Sequence, residues 1–324
     1  MKPPFSVIFL TTLIGVGQGL FLALYTGQLY SFFGLLPDQH HRSFYAAGSA
    51  IALVFLSAGL IASFFHLGHP ERAWRSAAMW RTSWLSREVI VLPAFMGTVF
   101  LYGVAHWFNF NKPIFELPGN HLVDITHILG AMGTALGFAL FICTGMIYAC
   151  LRFMQEWHTP LTPINFTLLG GASGFLLASI FASYTAPALT GFFATWAIIL
   201  TLLGLISRSS SLFRNSRIKP KSTLSSAIGI KHANIVQISQ GSMGGSFNTR
   251  AFFHGKSDSF IRVIKPGFII MVFLLPLLLL LAGSPTTNLL LAAFILQYAG
   301  LLAERWFFFA EANHPQNLYY QKIA

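Results

Sequence analysis

Between residues 63 and 90 the chain reads SFFHLGHPERAWRSAAMWRTSWLSREVI, a charged stretch joining two long apolar runs. His66 ends the first run, and Arg87 with Glu88 opens the next. A histidine titrates near neutral pH, and a partly buried carboxylate can give or take a proton, so this pair suits a reaction that moves protons. Three further ionisable positions fall at comparable depth: Arg152 ends the fourth apolar run, and Glu304 and Arg305 lie near the end of the eighth. Charges at membrane depth are costly and are functional candidates unless they snorkel to water. Six such groups from four helix ends at one level describe a pocket for a lipophilic ligand with a polar head. A quinone has this form: it enters sideways from lipid, and its two oxygens gain or lose two protons as two electrons are transferred. The expected proton carriers are His66 and Glu88, with Arg87, Arg152, Glu304 and Arg305 as further quinone-binding candidates.

The elements that must position these groups follow from composition. The 324 residues are 55% hydrophobic and 9% charged, against about 25% charged in a soluble domain. Apolar runs of about 20 residues, enough to cross a hydrocarbon core of roughly 30 Å, occur approximately at 6–32, 44–66, 86–109, 123–151, 162–184, 188–207, 266–283 and 286–309. The fold class is therefore an all-α integral membrane protein, one membrane domain forming an eight-transmembrane-helix bundle. The first run is too long and too rich in glycine for the apolar part of a signal peptide and reads as a retained span. Glycine and proline within the runs are tolerated because lipid offers the backbone no alternative to a helix.

An even number of spans puts both termini on one side. On that topology 18 of the 20 Lys and Arg residues share the terminal side, and only Arg42 and Lys112 lie opposite. Ten of the eighteen belong to a basic loop at 208–265, and without it the bias is still eight to two. The positive-inside rule then predicts cytoplasmic termini in a bacterial inner membrane. The formal charge of +11 has no nucleic-acid-binding module around it, so anionic membrane lipids and an acidic protein partner are the expected counter-charges, not nucleic acid. Trp74, Trp80 and Trp84 with Arg72, Arg75 and Arg81 read as an interfacial belt. Within the basic loop, GSMGGSFNTR could cradle a phosphate on backbone amides, but it lacks the Lys-Ser/Thr ending of a P-loop. A docking surface for another subunit is the better reading.

On the opposite side, His106 lies near Asp124 and His127, the last two spaced to share a helix face. Two readings stay open: a b-type haem held by His106 and His127, or an Asp124–His127 hydrogen-bonded pair that is structural or relays protons. Transmembrane haem carriers usually need two histidine pairs, and no second pair is visible, so no haem is expected. Cys143 and Cys150 read as small buried hydrophobes and build no iron–sulfur cluster. No metal site is expected. A chain without a redox centre but with a quinone pocket must exchange electrons with a partner docked close by.

Three motifs, FFHLGHPERAWRS followed by SWLSREV, GSMGGSFNTRAFFHGKS, and AERWFFFAEANHPQNLYYQ, resemble the membrane-anchor subunits of the dimethyl-sulfoxide-reductase type, in the wider polysulfide-reductase-like group. The resemblance covers nearly the whole chain. It implies a haem-free quinone/quinol-binding anchor that joins a four-cluster iron–sulfur subunit and a molybdopterin catalytic subunit. It also implies that His66 matches the family's quinol-site histidine and Glu88 its acidic residue near the start of the third span. The cytoplasmic orientation departs from the periplasm-facing dimethyl sulfoxide reductases and agrees with the cytoplasm-facing, sulfite-oxidising branch. The expected function is thus the anchor of a sulfite:quinone oxidoreductase. The alternatives are the anchor of a reductase of dimethyl sulfoxide or another sulfur compound, running in the opposite direction, and a secondary transporter.

Overall fold

The fold is taken from a computed structural model describing residues 4–110, 112–119, 121–219, 223–232, 234–235, 257–282 and 286–312. The helices are α1 (Phe5–Phe32), α2 (Ala47–Phe64), α3 (Trp84–Trp107), α4 (Ile125–Ala149), α5 (Leu161–Thr185), α6 (Thr190–Asn215), α7 (Leu224–Ile228), α8 (Asp258–Ile269), α9 (Leu275–Leu281) and α10 (Thr287–Glu311). A two-stranded antiparallel ribbon, β1 (Phe115–Leu117) with β2 (His121–Val123), joins α3 to α4. Among the described residues, eight segments are long and apolar enough to cross a membrane, and each overlaps one of the expected runs. The expected basic loop is shorter than its sequence suggests: α6 carries on through Arg208 to Asn215. GSMGGSFNTR and the tail from Asn313 onward lie outside the described residues.

The bundle is organised around α1, whose middle is buried almost without interruption from Ile14 to Tyr25. It meets α5 backbone to backbone, and the sequence cause is a matched pair of small-residue motifs, Gly15-x-x-x-Gly19 on α1 and Gly170-x-x-x-Gly174 on α5. A side chain on Gly15 would stand 3.4 Å from the Gly170 Cα, and one on Gly19 or Gly174 would overlap the other helix's backbone. Lipid tails are as apolar as leucine, so such backbone contact, rather than hydrophobicity, is what makes membrane helices adhere. On α4, Gly130 and Gly133 likewise make room for the rings of Tyr25 and Phe21.

The seventh span is broken deliberately. Pro276 has no N–H to offer the carbonyl four residues back, that of Val272, and its ring crowds that oxygen. The chain answers with a π-type turn over Ile270–Leu274 between α8 and α9. Gln297 on α10 then donates to the freed Val272 oxygen at 3.3 Å and to Thr201 Oγ1 on α6 at 3.2 Å. The defect thereby becomes a three-helix tie.

At the face opposite the basic one, α1, α3 and α4 are joined by a buried polar chain. Tyr102 donates to Gln28 Oε1 (2.8 Å), Gln28 Nε2 to Thr126 Oγ1 (2.6 Å), and Thr126 to Asp124 Oδ1 (2.6 Å). Asp124 caps α4, accepting from the backbone N–H groups of Thr126 and His127, and its Oδ1 lies 2.8 Å from His127 Nδ1. The spacing of three thus yields the hydrogen-bonded pair. His106 takes a different partner: fully buried, it lies with Nδ1 2.8 Å from His41 Nδ1 and stacks on Tyr45. Burial alone would raise the Asp124 pKa, but hydrogen bonds from His127 and Thr126 outweigh it and hold the carboxyl at about 2.

Two expectations follow from this packing. Gly174→Leu should abolish the yield of detergent-stable protein because it drives α1 off α5, whereas Gly97→Ala, which meets open space, should leave yield and melting temperature unchanged. Asp124→Ala should lower stability by roughly 2 kcal/mol at neutral pH through loss of cap and charge. A depressed carboxylate stabilises the fold above its unfolded pKa near ~4 and loses that effect as pH falls towards about 2. The melting temperatures of wild type and variant, compared as a pH series in mild detergent, should therefore approach each other progressively as pH falls from ~4 towards about 2.

Candidate functional site

At the basic face, the third span begins with a serine cap. Ser83 Oγ accepts from the Ser86 N–H, and the helix that follows turns Arg87 and Glu88 in different directions. Arg87 folds back over the connection: Nε donates to the Trp80 carbonyl at 2.9 Å, Nη2 donates to the Arg81 carbonyl at 2.8 Å, and the guanidinium lies 4.2 Å from the centre of the Trp84 ring. Its role is to clamp the end of the short 3₁₀ segment Pro70–Met79 onto α3. Glu88 instead faces the bundle and accepts a hydrogen bond from Thr144 on α4.

Beyond that bond lies a small cavity of about 20 Å³, room for one ordered water. Glu88, Thr144, Thr11, Gln18, Ser173 and Arg305 line it, drawn from α1, α3, α4, α5 and α10. A carboxylate and a guanidinium thus share one water-sized space within the apolar slab, surrounded by hydroxyl and amide groups. Such a set can donate to a carbonyl oxygen and pass a proton. The space as it stands is smaller than a quinone ring.

Arg305 is held there by three contacts. Its guanidinium lies 3.7 Å from the centre of the Phe166 ring and 5.7 Å from that of Phe308, and Nη1 is 3.5 Å from Glu304 Oε2. The other Glu304 oxygen, Oε1, is 2.7 Å from Arg208 Nε on α6, an ion contact without hydrogen-bond alignment. Arg208, Glu304 and Arg305 are each at most 3% exposed. An aromatic cluster encloses them: Tyr148 stacks on Phe166, and Trp157, from the connection between α4 and α5, donates to the Phe308 carbonyl at 2.9 Å. Arg214, in the last turn of α6, fastens the same connection through the carbonyls of Gln155 and His158.

The structure therefore gathers three of the six expected groups and separates the rest. Glu88, Glu304 and Arg305 meet around or beside the cavity. Arg87 is turned away for the reason given above, and Arg152 is exposed in the turn after α4, where its long side chain reaches water. His66 is also exposed, beyond the last turn of α2, and among the described residues no hydrogen bond or ion pair joins it to Glu88. Partial burial against the bundle lowers its pKa from the ordinary histidine value. Glu88 lines the cavity, and His66 is not among its lining residues.

Sequence reasoning missed Arg208, which it placed at the start of a loop because hydropathy falls after Ile206. A usable signal was present: Thr201, Gly204, Arg208 and Ser211 recur at helical spacing, and all four are buried along one stripe of α6. Gln18 and Thr144 were also missed, because neutral polar residues scattered in apolar spans carry little signal singly.

Comparison with known proteins agrees with this architecture. The chain is 59% identical, over its full length and over the full length of the relative, to a protein of Allochromatium vinosum that is named as a subunit of sulfite dehydrogenase. The family model described as DMSO reductase anchor subunit (DmsC) matches residues 1–320, and the chain belongs to that family of membrane anchor subunits.

Proposed function

We propose that this membrane subunit passes electrons between an iron–sulfur partner and the quinone pool, and that the complex it anchors oxidises sulfite. The observation that carries the quinone reading is the shared cavity: Glu88 and Arg305 face one small space near the basic side of the bundle. A second feature supports access from lipid. An apolar groove of about 350 Å³, lined by Phe5, Ile8, Phe9, Ile264, Leu302 and Trp306, runs along the same two helices, α1 and α10, that help wall the cavity. Thr12 and Tyr298 touch across the seam between them at 3.4 Å. A quinone tail suits the groove, and its head suits the polar space behind the seam.

On this reading, sulfite and water yield sulfate, two protons and two electrons at a molybdopterin catalytic subunit. The electrons pass through a four-cluster iron–sulfur subunit to the quinone, which takes up two protons and becomes quinol. Arg305 donates to the quinone oxygen on which negative charge develops. Glu88 delivers a proton from within the bundle, and His66, exposed beyond the last turn of α2, resupplies it. Direct contact between His66 and the ligand is not required for that role.

The docking side would be the basic face, with the termini in the cytoplasm of a bacterial inner membrane. Its 70–81 connection is exposed, with Trp74 72% and Trp80 52% accessible, and arginines lie against both rings (Arg75 on Trp74, Arg81 on Trp80). Exposed aromatic and arginine side chains are the residues that anchor interfaces. The family's description favours a second direction, quinol oxidation driving reduction of a sulfur compound such as dimethyl sulfoxide. The same residues serve it with protons moving outward. Membership in an anchor-subunit family gives the transporter alternative no support.

The test uses the whole complex purified in mild detergent. His66→Ala and Glu88→Gln should each reduce quinone-linked sulfite oxidation at least about tenfold, the scale of a lost proton-transfer group. Turnover with a soluble artificial acceptor and co-purification of the partner subunits should persist. Unchanged quinone-linked turnover in both variants would overturn the site. Activity only from quinol to dimethyl sulfoxide would reverse the direction.

A further inference from the structure

Arg208 stands on a helix that contributes nothing to the cavity lining, yet it is 2% exposed and its nearest carboxylate is Glu304. An arginine at this depth is expensive, and a lone buried ion pair is weak support for a fold, because two well-packed apolar side chains do as well or better. The cost is therefore unexplained by stability alone. The contact pattern gives it a purpose. Glu304 is gripped by Arg208 on one oxygen and by Arg305 on the other, and Arg305 stacks on Phe166 with its guanidinium in the cavity that Glu88 also lines.

Without Arg208, Glu304 would be a buried anion with Arg305 as its only cationic neighbour among the described contacts. The guanidinium of Arg305 would then be drawn off the cavity to neutralise it, at the expense of the Phe166 stacking. With Arg208 in place, Glu304 is neutralised from the α6 side and the charge of Arg305 is presented at the cavity. Glu88, when ionised, balances it.

Resting on the quinone reading given above, we propose that Arg208 is a positioning residue of the quinone site. By neutralising Glu304 from the α6 side, it leaves the Arg305 guanidinium free to face Glu88 and to bind the quinone oxygen. Arg305 is the group that touches the ligand; Arg208 acts through Glu304.

The experiment measures quinone binding as well as turnover. In the intact complex, the Kd of a short-chain ubiquinone is read from quenching of tryptophan emission, and the KM and kcat for the same quinone are read with sulfite. Assembly is checked by co-purification of the partner subunits and by turnover with a soluble acceptor. Arg208→Gln should raise both Kd and KM about tenfold, the scale of losing a charge-assisted hydrogen bond to the ligand, and Arg208→Lys should restore most of the affinity because it keeps the charge on Glu304.

A buried arginine replaced alone can prevent folding, so Arg208→Leu combined with Glu304→Leu is the second variant, removing both charges together. With Glu304 gone, nothing competes for Arg305, and this double variant should bind quinone more tightly than Arg208→Gln, or near wild type if the single variant does not fold. Wild-type Kd and KM in a folded Arg208→Gln complex would overturn the proposal, as would a folded double variant whose quinone affinity is lost. Glu88→Gln serves as the reference. If it too is without effect, the failure belongs to the quinone reading; if it abolishes quinone-linked turnover while Arg208→Gln does not alter it, only the role of Arg208 falls.

Discussion

Inside a hydrocarbon slab no water is available to rescue a polar group, and every donor and acceptor must find its partner in protein. Most of the architecture answers that one demand. The backbone is satisfied by running as helix, and where a proline breaks the pattern at Val272, a glutamine from a neighbouring helix supplies the missing donor. Hydroxyls along the spans return to carbonyls three or four residues earlier, as Thr12 and Thr201 do. Charges obey the same rule more severely, which is why Arg208, Glu304 and Arg305 are found together rather than singly.

The two ends of the bundle meet the demand in different ways. Opposite the basic face, the chain from Tyr102 to Asp124 consists of short hydrogen bonds between fixed groups, closed off by the helix cap and packed against the paired His41 and His106. Such a network holds three helices in register and leaves little room for a ligand. Toward the basic face, the polar groups surround a space of about 20 Å³ instead of filling it. Phe21, Phe95 and Tyr102, in edge-to-face contact at 5.2–5.5 Å, pack in the core between the two regions.

The connections outside the slab are held to the bundle for the same purpose. Arg87 clamps the 70–81 segment through two backbone carbonyls, and Arg214 clamps the 4–5 connection through two more. Both arginines lie at a helix end and donate to carbonyls outside the helices. By contrast the exposed contacts among His69, Glu71 and Arg72 are loose surface pairs, worth little in water. Residues that looked alike as charges near a membrane therefore have different work: Arg87 shapes a loop, Arg305 faces a cavity, and Arg152 reaches solvent.

The sequence by itself determined the eight spans, because a run of about 20 apolar residues has only one stable conformation in lipid. It also singled out Glu88, His66, Glu304 and Arg305, since ionisable groups are conspicuous where almost every neighbour is apolar, and it paired Asp124 with His127, because a spacing of three is decided within one helical turn. What only tertiary structure decided was which of those groups meet. The rotation of α3 turns Glu88 inward and leaves Arg87 outside, and the additional turns of α6 carry Arg208 into contact with Glu304. The cavity depends on how closely α1 and α5 approach at their glycines and on which side chains α4 and α10 then present. Periodicity along one helix specifies a face, but the partner of that face is chosen by packing between helices that lie far apart in the chain, and no local pattern records that choice.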